Sequence, residues 1–445
     1  VTSATTPRAA PLLDDLRRLC ALPSGPEAGE ARAAAAGCVA ELLRARSMQV
    51  ELLPTPGAPV VIGRRAGRSP ATLLLYHHYD TAPAGAWRAW HHEPYELAER
   101  DDQLFARGVA EGKGPLCAHL AALEALLAAE GELPCGIVVL AEGEALAGSP
   151  NLGAVVAERL PLLRADACLA TGGERGANGI PLCYGGAKGL LSLALTAVGA
   201  NQPLAAGLAA SAPNPLWRLV WTLGQIKSDQ EEILIDGFYD DVEGPSREDN
   251  QRLRDVTLDE TGRLAAWGLD DFLFGMRGAA LNRAESTLPT CNVSGLTVQP
   301  AGAFAAIPVV ATARLDFQLV PRQRPQAILE RLRNHLCSRG IEGVTAERLP
   351  GGYPAASTPF DTPFAQQVRQ AVEQTFGAPP HWLPLAPTAL PLFFLREALG
   401  LPAVVVGCAR AASATSGPNE HIPLADLLRH GELLIALMHA LGDGR

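Results

Sequence analysis

The sequence predicts an α/β protein, with a mainly parallel sheet flanked by helices and an inserted α+β domain. Three observations carry this. Short apolar runs alternate with helical stretches through the first part of the chain, the same alternation resumes near its other end, and the stretch between has strands and helices of its own. At 445 residues the chain also exceeds what one hydrophobic core usually organises.

ATLLLY (71–76) and CGIVVLA (135–141) have strand character, and PLCAHLAALEALLAAEG (115–131) between them has helical spacing and Ala/Leu richness. ACLAT (167–171) reads as a further strand after the helical AVVAERL. Near the other end, PLFFLREALG, PAVVVGC and LADLLRHGELLIALMHALG give helix, strand, helix. Strands alternating with helices imply a parallel sheet covered on both faces. The middle group comprises LLSLALTAV (190–198), a helix around NPLWRLVWTLGQI, VVATARLDFQLV (309–320) and PQAILERLRNHL (325–336). The expected organisation is therefore an α/β domain from residues 1–186 and 351–445, interrupted by an inserted domain over 187–350.

Composition narrows the function classes. Hydrophobic residues at 48% and charged residues at 19% describe a folded chain rather than a disordered one. The net charge of -10 is spread along the chain without a Lys/Arg-rich run, which argues against nucleic acid or an anionic membrane as a partner. VTSATTPRAAPLLDD contains no apolar signal-peptide core, and nowhere do about 18 uncharged apolar residues follow one another. A cytoplasmic location is the expectation. Nine cysteines are scattered without a CxxC pair, several inside apolar runs, so buried free thiols are expected.

Ligands in open α/β folds sit beyond the carboxyl ends of the strands. In LLLYHHYDTAPAG, His78 and Asp80 follow directly after such a strand. An imidazole there can ligate zinc while a nearby carboxylate fixes its tautomer. His-x-Asp alone is a weak signal, equally readable as a polar strand end.

More segments follow in a fixed order: YHHYDTAPAGAW, LFARGVAEGKGPLCAHLAALEAL, AEGEALAGSPNL, NQPLAAGLAASAPNP, GFYDDV, STLPTCNVSGL, LDFQLVPRQRP and SGPNEHIPL. In this order the chain resembles the M20 metallopeptidases, and in particular their carnosinase-like dipeptidases. The resemblance spans almost the whole length. It implies that the inserted domain is a lid or dimerisation domain, that the chain forms a homodimer, and that the substrate is a small amide or peptide-like molecule. It also implies two zinc ions held by a bridging carboxylate, two histidines and two further carboxylates, with a glutamate as base.

Against that pattern, the departures fall on the chemistry. His78 and Asp80 are kept, and Glu111 takes the bridging aspartate position. Anchoring on Gly148-Ser149 puts Ala145 at the general-base position and Leu146 at its neighbouring ligand, Gly172 at the next aspartate and Ser416 at the last histidine. Leu204 replaces the histidine of the inserted domain, and Gln318 the arginine of a carboxylate clamp. The substitutions concentrate at one place while turns and apolar segments stay readable. Removing the cations also accounts for the joint loss of carboxylates, which would otherwise repel one another in one cleft.

The expectation is a metal-independent enzyme acting on a small amide by hydrolysis or by the related condensation or cyclisation. No cofactor is expected, and zinc only if the metal-free reading fails. His78 and Asp80 form an acid/base pair, with Glu111 and Ser416 as further catalytic candidates. Gln318, Thr388, Asn419 and Glu420 are candidate substrate contacts. The stiffer loop LAPTALPLF and the apolar replacements predict a drier pocket and a substrate lacking a free carboxylate. Two alternatives stand beside this: a non-catalytic binding protein on the same fold, and a zinc hydrolase whose ligands are displaced to Glu142, Glu144, Glu174 or Glu420.

Overall fold

The computed structural model describes residues 5–300 and 305–444. Contacts divide the chain into two compact units. One comprises Val1–Ala187, Pro245–Thr287 and Ala356–Arg445, and the other Lys188–Gly244 and Leu288–Ala355.

The first unit is built on an eight-stranded sheet in the order Gln49–Leu53, Val60–Arg65, Cys135–Glu142, Ser69–His78, Ala167–Thr171, Ala403–Val406, Cys183–Tyr184, Trp382–Leu383. Its centre is parallel: Ser69–His78 lies between Cys135–Glu142 and Ala167–Thr171, which in turn pairs with Ala403–Val406. Burial on both faces explains why these strands read as continuous apolar runs. Leu73 and Leu75 enter one core cluster and Leu74 and Tyr76 the other, as the two-residue period of a strand requires. The helix Lys113–Glu130 is apolar nearly all round and stops at Gly131, which takes the left-handed conformation with φ of 76°.

These strands end together. His78 is in register with Glu142, and Val406 with Thr171. The loops that leave these four ends therefore open at one edge of the sheet.

The main sheet of the second unit is antiparallel in the order Thr290–Gln299, Val310–Leu319, Gly186–Val198, Val344–Arg348, with the helices Pro215–Ile226 and Pro325–Ser338 beside it. Alternating burial along Val310–Leu319 matches its alternating sequence. The boundaries differ from those expected. The stretch 187–350 is not one uninterrupted insertion, because Pro245–Thr287 packs in the first unit. Leu253, Val256, Leu258, Phe272 and Leu281 from this stretch join the core cluster that contains Leu74 and Tyr76.

All nine cysteines are free, and all but Cys337 are buried. No helix among the described residues is long and apolar enough to cross a membrane.

Behind the sheet edge three histidines are buried together. His77 Nε2 lies 2.9 Å from His119 Nδ1, His119 stacks on His430 with centroids 4.8 Å apart, and His430 Nε2 is 3.1 Å from Thr171 Oγ1. Burial holds all three below the ordinary value of 6.5, His430 at about 3. They are neutral in the fold and take up protons on unfolding. Stability should therefore fall as the pH drops below about 6.5, by up to about 1.4 kcal/mol per pH unit for each histidine. Urea unfolding of the wild type and of His430→Gln between pH 7.5 and 5 isolates this contribution: the stability of the variant relative to the wild type should rise as the pH falls, and a constant difference would contradict it.

Candidate functional site

At the end of Ser69–His78, His78 Nδ1 faces the Asp80 carbonyl at 3.0 Å and Asp80 Oδ1 at 3.2 Å. Asp80 Oδ2 accepts the Leu146 backbone N–H at 2.9 Å, which ties this carboxylate to the short turn Ala145–Ala147. Both His78 and Asp80 are buried. Burial pulls the imidazole down, but the Asp80 hydrogen bond and charge, with Glu111 nearby, raise it to about 9. His78 is therefore cationic at neutral pH, and its Nε2 makes no hydrogen bond among the described residues.

The loop from residue 107 to 112 covers His78. Gly112 has φ of +77°, and a Cβ there would lie 2.9 Å from the His78 carbonyl oxygen and 3.1 Å from Cε1 of the ring. Only glycine allows the loop to lie this close. Glu111 beside it forms no ion pair among the described residues, because Lys113 donates to the Leu22 carbonyl at 2.7 Å and Arg107 is committed elsewhere. Burial raises the Glu111 carboxyl, opposed by the charge of His78.

Arg107 and Glu420 fix this loop. Their side chains are about 1% exposed and meet at 2.9 Å. Glu420 also accepts the backbone N–H groups of Gly108, Ala110 and Glu111 at 2.8, 2.9 and 3.2 Å. Burial pushes its carboxyl up to about 7 against the pull of those amides and of Arg107. Arg107 reaches the other way, donating to the Thr415 and Gly417 carbonyls at 2.9 and 2.6 Å. Ser416 is thus held between two anchored neighbours.

Glu111, Gly172, Thr388 and Ser416 line one cavity of about 530 Å³. His78 is not in its wall but sits behind Gly112. Two substrate-contact expectations are corrected. Glu420 is buried with both oxygens committed to the loop, and Asn419 accepts from the His91 N–H and donates to the Ala89 carbonyl, so it braces a neighbouring turn. Gln318 and Leu204 belong to the second unit, where Gln318 Oε1 is buried without a hydrogen-bond partner among the described residues. The pocket is also more charged than expected. Glu174, named in the sequence only as a displaced zinc ligand, lines it with Arg263, Arg410 and the half-exposed Trp267, and the last three were not singled out in the sequence.

The donors at hand do not fit a dinuclear zinc centre. His78 and Glu111 supply two, whereas the carbon side chains of Ala145 and Leu146 and the bare Gly172 supply none. Among the described residues no group of three or more His, Cys, Asp or Glu side chains is arranged to hold a metal ion. The nearby carboxylates are engaged: Glu142 with Tyr76 and Ser149, Glu144 with Asn151, Glu174 with Arg263.

Two outcomes follow. Glu420→Gln, which leaves the buried Arg107 uncompensated, should lose about 3–5 kcal/mol of unfolding free energy in urea titrations. Gly112→Ala should be strained by about 1–3 kcal/mol and should shift the His78 imidazole resonances, and an unchanged spectrum would refute the close packing.

Residues 74–440 match the profile of Peptidase family M20/M25/M40. The chain is 25% identical to the Beta-Ala-His dipeptidase of Rattus norvegicus over 64% of its own length and 58% of that protein's. It is 36% identical to the Cysteinylglycine-S-conjugate dipeptidase of Corynebacterium striatum over 36% of the chain and 35% of that protein. The matched stretches thus span less than two thirds of these relatives. The metallo-carboxypeptidase Sso-CP2 of Sulfolobus solfataricus superposes with a TM-score of 0.88 at 27% identity, over 97% of this chain and 99% of that one. With its parallel sheet, its second unit and a profile match over most of its length, the chain belongs to peptidase family M20/M25/M40.

Proposed function

We propose that this chain hydrolyses an amide or peptide-like bond without a dinuclear zinc centre. The observation that carries the reading is the buried pairing of His78 with Asp80 behind Gly112, the neighbour of Glu111, at the carboxyl ends of parallel strands and beside the cavity that Glu111 lines.

Glu111 is the group that meets the substrate. A carboxylate raised by burial is suited to take a proton from water as its oxygen attacks the carbonyl carbon. The cationic His78, separated from the cavity by Gly112, favours the negative charge that develops on the carbonyl oxygen through its field rather than by contact. Collapse breaks the C–N bond, and the proton held by Glu111 passes to the departing nitrogen. Water and amide thus give carboxylic acid and amine, and condensation or cyclisation would run the same transfers in reverse. Asp80 is a positioning residue that holds the imidazole and its charge. Ser416 offers a hydroxyl to the same cavity.

Turnover of a panel of dipeptides and N-acyl amino acids, with and without added zinc, tests the reading. Glu111→Gln should lower kcat by about 10²- to 10⁴-fold. His78→Gln should remove the alkaline limb that the wild type shows as the pH rises through about 9, where the raised imidazole loses its proton and charge. A reaction that appears only with zinc would instead favour a zinc hydrolase with displaced ligands. Binding without turnover by any member would favour the non-catalytic reading.

Pairing of two copies through the second unit belongs to the same proposal. It is supported by Trp217, Val220 and Trp221, exposed on the helix Pro215–Ile226, and by Val293 and Leu296, exposed on the edge strand Thr290–Gln299. Sedimentation should give a dimer mass, and a monomer at micromolar concentration would refute it.

A further inference from the structure

In the hydrolysis proposed above, His78 reaches the carbonyl oxygen only through its field, and the charge gathering there calls for a direct hydrogen-bond donor. The cavity wall offers one at Thr171. This residue closes the parallel strand Ala167–Thr171, and the two-residue period sets it on the face of Ala167 and Leu169, whose core cluster takes in the helix Leu424–Gly442. His430 of that helix lies with Nε2 3.1 Å from Thr171 Oγ1, and Thr171 itself lines the cavity with Glu111 and Gly172.

The direction of this hydrogen bond follows from the other ring nitrogen. His430 is wholly buried, and its Nδ1 has no hydrogen-bond partner among the described residues. Burial and the charge of Arg175 keep the ring neutral, so one nitrogen carries the proton and the other a lone pair. A proton on Nδ1 would leave a buried N–H unmet, which folded proteins avoid more strictly than a bare lone pair. The proton therefore sits on Nε2 and is donated to Thr171 Oγ1. The same rule applied to His119, whose Nε2 is unpartnered among the described residues, makes Nδ1 its donor toward His77. Stacking against His119 at an interplanar angle of 12° holds the His430 ring in this orientation. With its oxygen accepting from His430, the Thr171 hydroxyl has no acceptor for its own proton among the described residues, and that proton is left for the cavity. Ser416, in the same cavity, is exposed and has no side-chain hydrogen bond among the described residues to orient it.

We infer that Thr171 is a catalytic residue whose hydroxyl donates a hydrogen bond to the carbonyl oxygen of the substrate, with His430 as the positioning residue that turns the hydroxyl outward. This rests on the cavity being the site of the hydrolysis proposed above. No bond to Thr171 forms or breaks. Its proton stays on the hydroxyl, and the hydrogen bond strengthens as the carbonyl oxygen gains negative charge.

NMR of protein carrying isotope-labelled histidine reads the His430 tautomer, its signals assigned by their loss in His430→Phe. A protonated Nε2 with a bare Nδ1 is expected, and the reverse tautomer overturns the assignment. Kinetics on the panel members that the wild type hydrolyses read the role. Thr171→Val should lower kcat by about 10²- to 10³-fold with KM little changed, and Thr171→Ser, which keeps the hydroxyl, should restore most of it. His430→Phe should lower kcat roughly 10-fold, and should add nothing in the Thr171→Val background, where no hydroxyl remains to be turned. A His430→Phe loss that persists in that background overturns the assignment, as does a Thr171→Val enzyme as active as the wild type. A wild type that hydrolyses no panel member removes the hydrolase reading, and calorimetric binding of a phosphinic dipeptide, whose P–O oxygens stand in for the charged carbonyl oxygen, then decides on Thr171. Binding weakened roughly 10-fold or more by Thr171→Val but not by Thr171→Ser sustains the donor. Equal binding by wild type and Thr171→Val, or none by the wild type, overturns it.

Discussion

The candidate site depends on one buried ion pair. Arg107 and Glu420 are distant in sequence and almost wholly excluded from solvent, and between them they fix two loops. Glu420 gathers the backbone amides of residues 108, 110 and 111, and Arg107 holds the carbonyls of 415 and 417. An unpaired charge at this depth would be costly, so neither residue can leave without disturbing the other. Pairs of this kind are weak sources of net stability and strong sources of geometry. Here the geometry is that Glu111 and Ser416 line the same cavity.

The sheet supplies the other constraint. Parallel strands ending in register bring the His78 end, the 142–146 turn, the Thr171 end and the loop after Val406 to one edge. In an enzyme with metal ions, carboxylates crowded at such an edge are held by the cations. With aliphatic or absent side chains at 145, 146 and 172, that need disappears, and the remaining acids are drawn into local hydrogen bonds with Tyr76, Ser149, Asn151 and Arg263. On the proposed reading, His78 takes its charge from Asp80 and Glu111 rather than lending a lone pair to a metal. The same residue type at the same strand end is thereby suited to a different task.

Much of this was legible in the sequence. Leu73 to Leu75 announced a strand buried on both faces, and the Ala/Leu-rich 115–131 a buried helix, because burial on all sides leaves an uninterrupted apolar signal. His78, Asp80, Glu111 and Ser416 were singled out as candidates from their order along the chain. Local pattern does not encode which core an amphipathic helix packs into, so the return of residues 245–287 to the first unit was missed, and with it Arg263 and Trp267. Glu420 was misread for a related reason: a carboxylate in a polar loop looks like a ligand until its partners, more than three hundred residues away, are in place. Arg410 carried no signal at all, since a lone arginine after a strand acquires meaning only from the cavity beside it.

The central claim is that this member of the family carries out its chemistry without a pair of zinc ions. Elemental mass spectrometry addresses it most directly, on protein purified without chelator and again after incubation with excess zinc and desalting. The account predicts well under one zinc per chain in both samples. About two zinc ions per chain, the number a dinuclear site holds, would contradict it and make displaced carboxylates the ligands to identify.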